Sequence, residues 1–167
     1  MSDARAEIVE VRIAPLTEFS NWIPDIAQWL HAQWRDLYPG GYTAADVAAA
    51  LRSRLQTHQI PLALVAVAGE AVVGIVSLKG SDMETRPELT PWLAGLYVVP
   101  AHRGLGIGAR LVQTVLAKAR ELQVETLYLY TPGAEQFYAA LGWRLLERTH
   151  YQEIPVTVMY YPLQAEK

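Results

Sequence analysis

The residues best placed to do chemistry begin with a run of alternating glycines, Arg103-Gly104-Leu105-Gly106-Ile107-Gly108. The apolar stretch before it, Leu96-Tyr97-Val98-Val99, stops at Pro100, which cannot donate to a strand ladder. An apolar helical pattern starts directly after it. A glycine turn feeding a helix leaves several backbone N–H groups unpaired at the positive end of the helix dipole. Such groups bind anions, and glycine is needed wherever a Cβ would hold phosphate oxygens away. Arg103 adds a full positive charge.

Three readings of this loop compete. A plain strand-to-helix turn needs one glycine, and three behind an arginine exceed that need. A Rossmann dinucleotide site would use Gly104, Gly106 and Ala109 as G-x-G-x-x-A. Its place in the chain argues against it: about a hundred residues precede the loop, and Glu125 lies at the start of the next strand, not at its end where the ribose would need it. A P-loop fails because no G-K-[ST] follows. An anion site is the reading that survives.

Other chemistries are narrowed by composition. Without cysteine there is no disulfide, thiolate nucleophile or cysteine metal site. The four histidines, His31, His58, His102 and His150, lack ligand spacing, so no metal is expected. A net charge of −3 offers no global attraction to nucleic acid or an anionic membrane. No apolar run approaches the ~20 residues of a membrane span. Residues 1–7 are polar and charged, with no apolar signal core behind them. A cytoplasmic protein without nucleic-acid or membrane partners is expected, folded as one domain over residues 1–167.

The elements that must position the loop follow from periodicity. Residues 8–13 alternate apolar and charged, as a half-exposed strand does, and Pro15 ends it. Residues 20–37 carry Trp22, Ile26, Trp29, Leu30, Trp34 and Leu37 at helical spacing, with Pro24 tolerable in the first turn. Thr43 reads as the N-cap of a second helix through Leu55, with Asp46 as capping-box partner. Residues 62–68 and 71–79 form a hairpin around Gly69-Glu70. Residues 80–91, with Asp82, Glu84, Glu88 and two prolines, read as a long ordered loop. Residues 92–99 make a strand in which Gly95 calls for a bulge or a close backbone approach. An amphipathic helix from Leu111 to Leu122 follows the glycine loop, then a strand at 127–130. A short helix over 134–141 ends at Gly142, and strands at 143–147 and 156–160 close the chain. The order β-α-α-β-β-β-α-β-α-β-β predicts a mixed α/β fold.

The segment Val98 to Gly108 resembles motif A of the GCN5-related N-acetyltransferases, R/Q-x-x-G-x-G/A, at Arg103, Gly106 and Gly108, with V-x-P at Val98 and Pro100. Phe137-Tyr138-Ala139-Ala140-Leu141-Gly142-Trp143 resembles that family's F-Y-x-x-x-G-F element, with Trp as its last residue. Asp82 to Trp92 is similar to a segment of an uncharacterised subgroup, D-x-x-x-R-P-x-L-T-P-W-L-A. The resemblance implies a mixed, mostly antiparallel sheet of six to seven strands with a V-shaped split, flanked by about four helices. It implies acetyl-CoA as co-substrate. The pantetheine would lie between strands 92–99 and 126–130, near Leu96, Tyr97 and Val98. The amides from Arg103 through Gly104, Leu105, Gly106, Ile107 and Gly108 to Ala109 would hold the pyrophosphate.

Acetyl transfer to an amine needs a neutral nucleophile, and at a pKa near ~10.4 only on the order of one amine in a thousand is neutral at pH 7. A base, a water chain or a desolvated pocket must correct this. The family motif places Tyr138 near the coenzyme sulfur as the acid. Many relatives carry a Glu on the strand before the loop, but residues 92–99 hold no carboxylate. Asp82 is therefore the candidate base, directly or through water, although a solvated loop acid or a partner for Arg86 explains it equally. Trp34, Tyr38 and Tyr42 are the aromatic candidates for the acceptor pocket, with Asp82 or Glu88 drawing in the charge of a small amine. A peptide acceptor and a non-catalytic acyl-CoA-binding module are the alternatives. The strand-rich end, residues 149–163, could pair with a second subunit as a homodimer.

Overall fold

The computed structural model describes residues 10–164. Strand β1 (Val11–Pro15) leads through a 3-10 segment (Leu16–Trp22) into α1 (Ile23–Gln33). A 3-10 turn at Arg35–Leu37 and α2 (Ala44–Arg52) precede the hairpin β2 (Leu62–Ala68) and β3 (Ala71–Lys79). Then come β4 (Trp92–Val98), α3 (Ile107–Glu121), β5 (Thr126–Thr131), α4 (Glu135–Ala140), β6 (Arg144–Tyr151) and β7 (Ile154–Pro162). The seven strands form one sheet in the order β1-β2-β3-β4-β5-β7-β6. Every neighbouring pair is antiparallel except β4 and β5. The expected mixed, mostly antiparallel sheet with four α-helices is present.

Apolar faces explain the layers. Leu111, Val112, Val115 and Ala119 recur at helical spacing on α3 and pack on Val73, Val76 and Leu78 of the sheet. On the other face Ile26, Leu30, Val47 and Leu51 of α1 and α2 cover Val65, Val67 and Ile75. With helices on both faces, six of the seven β2 residues are buried, which is why its sequence reads as a continuous apolar run.

Several boundaries differ from the sequence reading. Residues 8 and 9 of the first expected strand lie outside the described residues, and Pro15 is its last residue, tolerable because β1 is an edge strand. The first α-helix starts at Ile23, after a kink at Phe19. Thr43 does cap α2 through the reciprocal bonds of a capping box with Asp46, but the helix ends at Arg52. The last two strands run longer than their apolar residues indicate, because they meet in a tight hairpin at Gln152 and Glu153. Both residues have positive φ, 52° and 66°, without the glycine or asparagine that normally marks such a turn. β7 is paired on both sides, so of the C-terminal hairpin only β6 presents a free edge.

Candidate active site

The sheet opens in the middle. β4 and β5 share a single register pair, Trp92 with Tyr128, and Tyr128 N–H donates to Pro91 C=O at 3.1 Å. Beyond that point the strands part. Gly95 sits at φ +62°, and the pairing steps from Ser77–Ala94 to Ile75–Tyr97, so Gly95 and Leu96 together face one β3 residue. That is the bulge the lone glycine called for, and it bends β4 away from β5. Val99 N–H donates to Val73 C=O at 2.9 Å. By strand alternation the backbone groups of Leu96 and Val98 then face the opening, while those of Tyr97 face β3. The Tyr97 ring leaves by the helix side, stacked on Trp29 at 5.9 Å and edge-on to Trp34 at 6.4 Å.

The glycine loop closes one end of this opening. Gly104 (φ +78°) and Gly106 (φ +80°) are both left-handed, and a Cβ at either would stand in open space. Gly106 is the N-cap of α3, and its carbonyl takes the first helical bond, from Arg110 N–H at 3.1 Å. The N–H groups of Ile107, Gly108 and Ala109 precede that bond and have no helical acceptor. Gly108 lies between β4 and α4: a Cβ there would be in ordinary van der Waals contact with the Phe137 ring at 3.5 Å and with Val98 at 3.9 Å. Leu105 is exposed at the loop tip, whereas Ile107 is buried. Arg103 folds back, its Nε donating to Val98 C=O at 2.8 Å and its guanidinium lying 5.3 Å from the Tyr97 ring centre. One of the two backbone groups of Val98 is therefore already engaged.

A cavity of about 370 Å³ opens into the split, with Gly95 and Leu96 on one wall and Leu129 and Tyr130 on the other. Tyr138 of α4 lines it. A family model for the acetyltransferase (GNAT) family matches residues 23–143, a span holding the split, the glycine loop and α4. The chain belongs to the GNAT acetyltransferase family. The same fold occurs in an aminoglycoside 6'-N-acetyltransferase complexed with coenzyme A, at TM-score 0.72 and 17% identity over 93% of this chain and 99% of that one. A putative acetyltransferase from Salmonella typhimurium, solved with acetyl-CoA, gives TM-score 0.66 and 18% identity over 95% of each chain. An N-acetyltransferase from Staphylococcus aureus Mu50 gives 0.71 and 16% over 93% and 99%. No curated protein matches the sequence.

In this GNAT chain Tyr138 is 7% exposed, and burial pushes its phenol above the usual tyrosine range. Trp34 and Tyr38 line the cavity, as does Tyr42, stacked on Tyr38 at 5.0 Å. Burial pushes the Tyr38 phenol up to about 12, against the opposing pull of Arg54. Asp82 also reaches the cavity, and its Oδ1 accepts from Lys79 Nζ at 3.0 Å. Its ion pair is therefore with Lys79. Arg86 instead binds Glu147 of β6, Nε to Oε1 at 2.5 Å. Glu88 is exposed and is not among the cavity residues, so the acid on the cavity rim besides Asp82 is Glu84.

The loop from Gly80 to Pro91 is a fixed rim. Thr90 Oγ1 donates to Gly80 C=O at 2.6 Å, Trp92 Nε1 donates to Leu89 C=O at 2.5 Å, and Met83 is fully buried. Arg54, two residues past the end of α2, is the cavity residue that sequence reasoning missed. Its Nη1 donates to Ser77 Oγ at 2.9 Å. The available signal was Ser77 itself, a lone hydroxyl in the apolar run of β3 that must find a partner when buried.

Proposed function

We propose that the chain moves the acetyl group of acetyl-CoA directly onto the amine of a small molecule. The observation that carries this reading is the continuity of the site: the split between β4 and β5 has the glycine start of α3 at one side and the Tyr138 cavity opening into it. The fit to the coenzyme rests on the two left-handed glycines, which leave open space where a Cβ would stand, beside helix N–H groups without helical acceptors. Leu96 and the unengaged N–H of Val98 are the strand groups facing the opening.

Bound acetyl-CoA supplies a thioester carbonyl that the amine attacks, a C–N bond forming and the C–S bond breaking with the electron pair on sulfur. Tyr138 holds its phenolic proton at neutral pH because burial disfavours phenolate. A free thiol has a pKa near ~8.5, below that of any such phenol, so complete proton transfer to a thiolate is uphill. Tyr138 therefore acts by hydrogen-bonding the leaving sulfur, which stabilises charge as it develops. Asp82, on the cavity wall, is the carboxylate to accept the amine proton, directly or through water. Trp34 and Tyr38 provide the apolar wall for the acceptor.

Support for a small acceptor comes from the rim. The Arg86–Glu147 pair ties the loop to β6, and the buried Met83 pins its middle, so the entrance is bounded on that side by fixed chain. The test is release of free thiol from acetyl-CoA with a panel of amines and short peptides. Amine-dependent release, lost in Tyr138→Phe, is expected. Peptides outperforming every small amine would overturn the acceptor class, and tight coenzyme binding with no turnover would make the chain a binding module.

A further inference from the structure

The cavity contains a cation that the transfer step does not use. Arg54 donates from Nη1 to Ser77 Oγ, and Ser77 is 1% exposed, so the guanidinium is anchored on the sheet. Among the described residues no carboxylate lies within 4.0 Å of it; the four ion pairs are Lys79–Asp82, Arg86–Glu147, Lys118–Glu121 and Arg148–Glu135. Asp82 is close enough to act on Arg54 electrostatically, but its bond goes to Lys79. The neighbouring phenol of Tyr38 is neutral at physiological pH and cannot be the counterion. Burial pushes the Arg54 pKa down, which means that its charge is poorly hydrated. A guanidinium stays protonated in proteins, carries five N–H donors in a planar fork, and matches a carboxylate in a bidentate manner.

We propose that the acceptor carries a carboxylate as well as its amine, bound by Arg54, so that the substrate is an amino acid or an amino-acid-like compound. This rests on the transferase reading above. The Tyr38–Tyr42 stack beside Arg54 gives an apolar side chain its seat, and the Lys79–Asp82 pair leaves the local charge balanced apart from the guanidinium and the rim acid Glu84. An acceptor bearing both charges fits this wall better than a simple cationic amine, which Arg54 would repel.

Two measurements test it. With acetyl-CoA held constant, kcat/KM is compared for matched pairs such as phenylalanine with phenethylamine and leucine with isoamylamine. A preference of about tenfold to a hundredfold for the carboxylated partner is expected, since hydrogen bonds to charged groups are of that strength. Arg54→Gln should remove the preference through KM, raising it for the carboxylated acceptors and, with the repulsion gone, lowering it for the decarboxylated amines, and Arg54→Lys should recover part of the preference. The second measurement needs no turnover and no variant: calorimetric binding of N-acetylphenylalanine against N-phenethylacetamide to the unaltered protein. Tighter binding of the carboxylate supports the inference even if no acceptor is turned over. Equal binding of the two overturns it, even if simple amines are acetylated well and the transferase reading stands. Arg54-dependent use of succinyl-CoA with carboxylate-free amines would also overturn it, because the carboxylate would then belong to the acyl group.

Discussion

Gly106 separates the role of the loop in folding from its role in binding. It holds φ +80° at the N-cap of α3, and nothing lies within 4 Å of the place a Cβ would take. Gly106→Ala therefore meets no clash in the protein alone, and its cost is the left-handed backbone, about 1–2 kcal/mol. For a chain of this length that is a fall in Tm of about 2–8 °C. Gly69 provides a matched control: φ is +63°, a Cβ is equally unobstructed, and the residue sits in the β2–β3 hairpin turn, outside the cavity lining and not part of the glycine loop. Gly69→Ala should lose similar stability and bind coenzyme A as the unaltered protein does. At 25 °C a stability of roughly 5–15 kcal/mol leaves both variants folded, so strain alone cannot weaken binding. Gly106→Asp adds a charge that is favourable beside a helix N-terminus but repels a pyrophosphate. At about 4 Å one pair of like charges costs about 1 kcal/mol in water and about 4 kcal/mol at an effective dielectric of 20. The affinity for coenzyme A, read by calorimetry, should fall by at least about fivefold in Gly106→Asp, with melting curves confirming the fold. Binding in Gly106→Asp equal to that in Gly69→Ala would refute the phosphate cradle.

Other expectations follow from the same geometry. Tyr138→Phe should lower kcat by about a hundredfold while leaving coenzyme affinity within about twofold, the loss expected of one donor to a developing anion; an unchanged kcat in single-turnover measurements would remove Tyr138 from the chemistry. Arg86 holds the Glu147 carboxyl below its ordinary range, so the pair stabilises the protein above the unfolded glutamate value and loses that contribution as pH falls through the lower folded one. Melting temperatures of the unaltered protein and Glu147→Gln should therefore differ at neutral pH and converge once the pH has fallen below the lowered folded value, and parallel curves would show that the pair contributes nothing. The Tyr38 phenol, pushed up to about 12, resists ionisation only when folded, so its contribution is complete below about pH 10 and is lost as pH rises towards 12. Tyr38→Phe should flatten that part of the alkaline stability curve.

Much of the scaffold was legible because its signals are local. The β2–β3 hairpin, with its two apolar runs and Gly69-Glu70 between them, was read to the residue, and the Thr43–Asp46 capping box spans one helical turn. Gly95 implied a bulge because a strand tolerates glycine there only for a backbone reason. The Gln152–Glu153 turn was hidden because tertiary pairing of β6 with β7 holds two residues at positive φ that neither would choose alone. The acceptor side was hidden for a related reason. Arg54 and Ser77 are 23 residues apart and Arg86 and Glu147 are 61 apart, so no periodicity links either pair.

The sequence by itself determined the alternating glycines before α3, the strand that leads to them and the Phe137-Tyr138 helix that follows, because backbone conformation and hydrophobic period are properties of neighbouring residues. Tertiary structure decided which side chains share the cavity. It gave Asp82 to Lys79 and Arg86 to Glu147, left Glu88 on the surface, and brought Arg54 into the cavity wall. The physical reason is that ion pairs and buried polar partners form wherever packing brings charges together, and packing is a property of the whole sheet with its two helical layers.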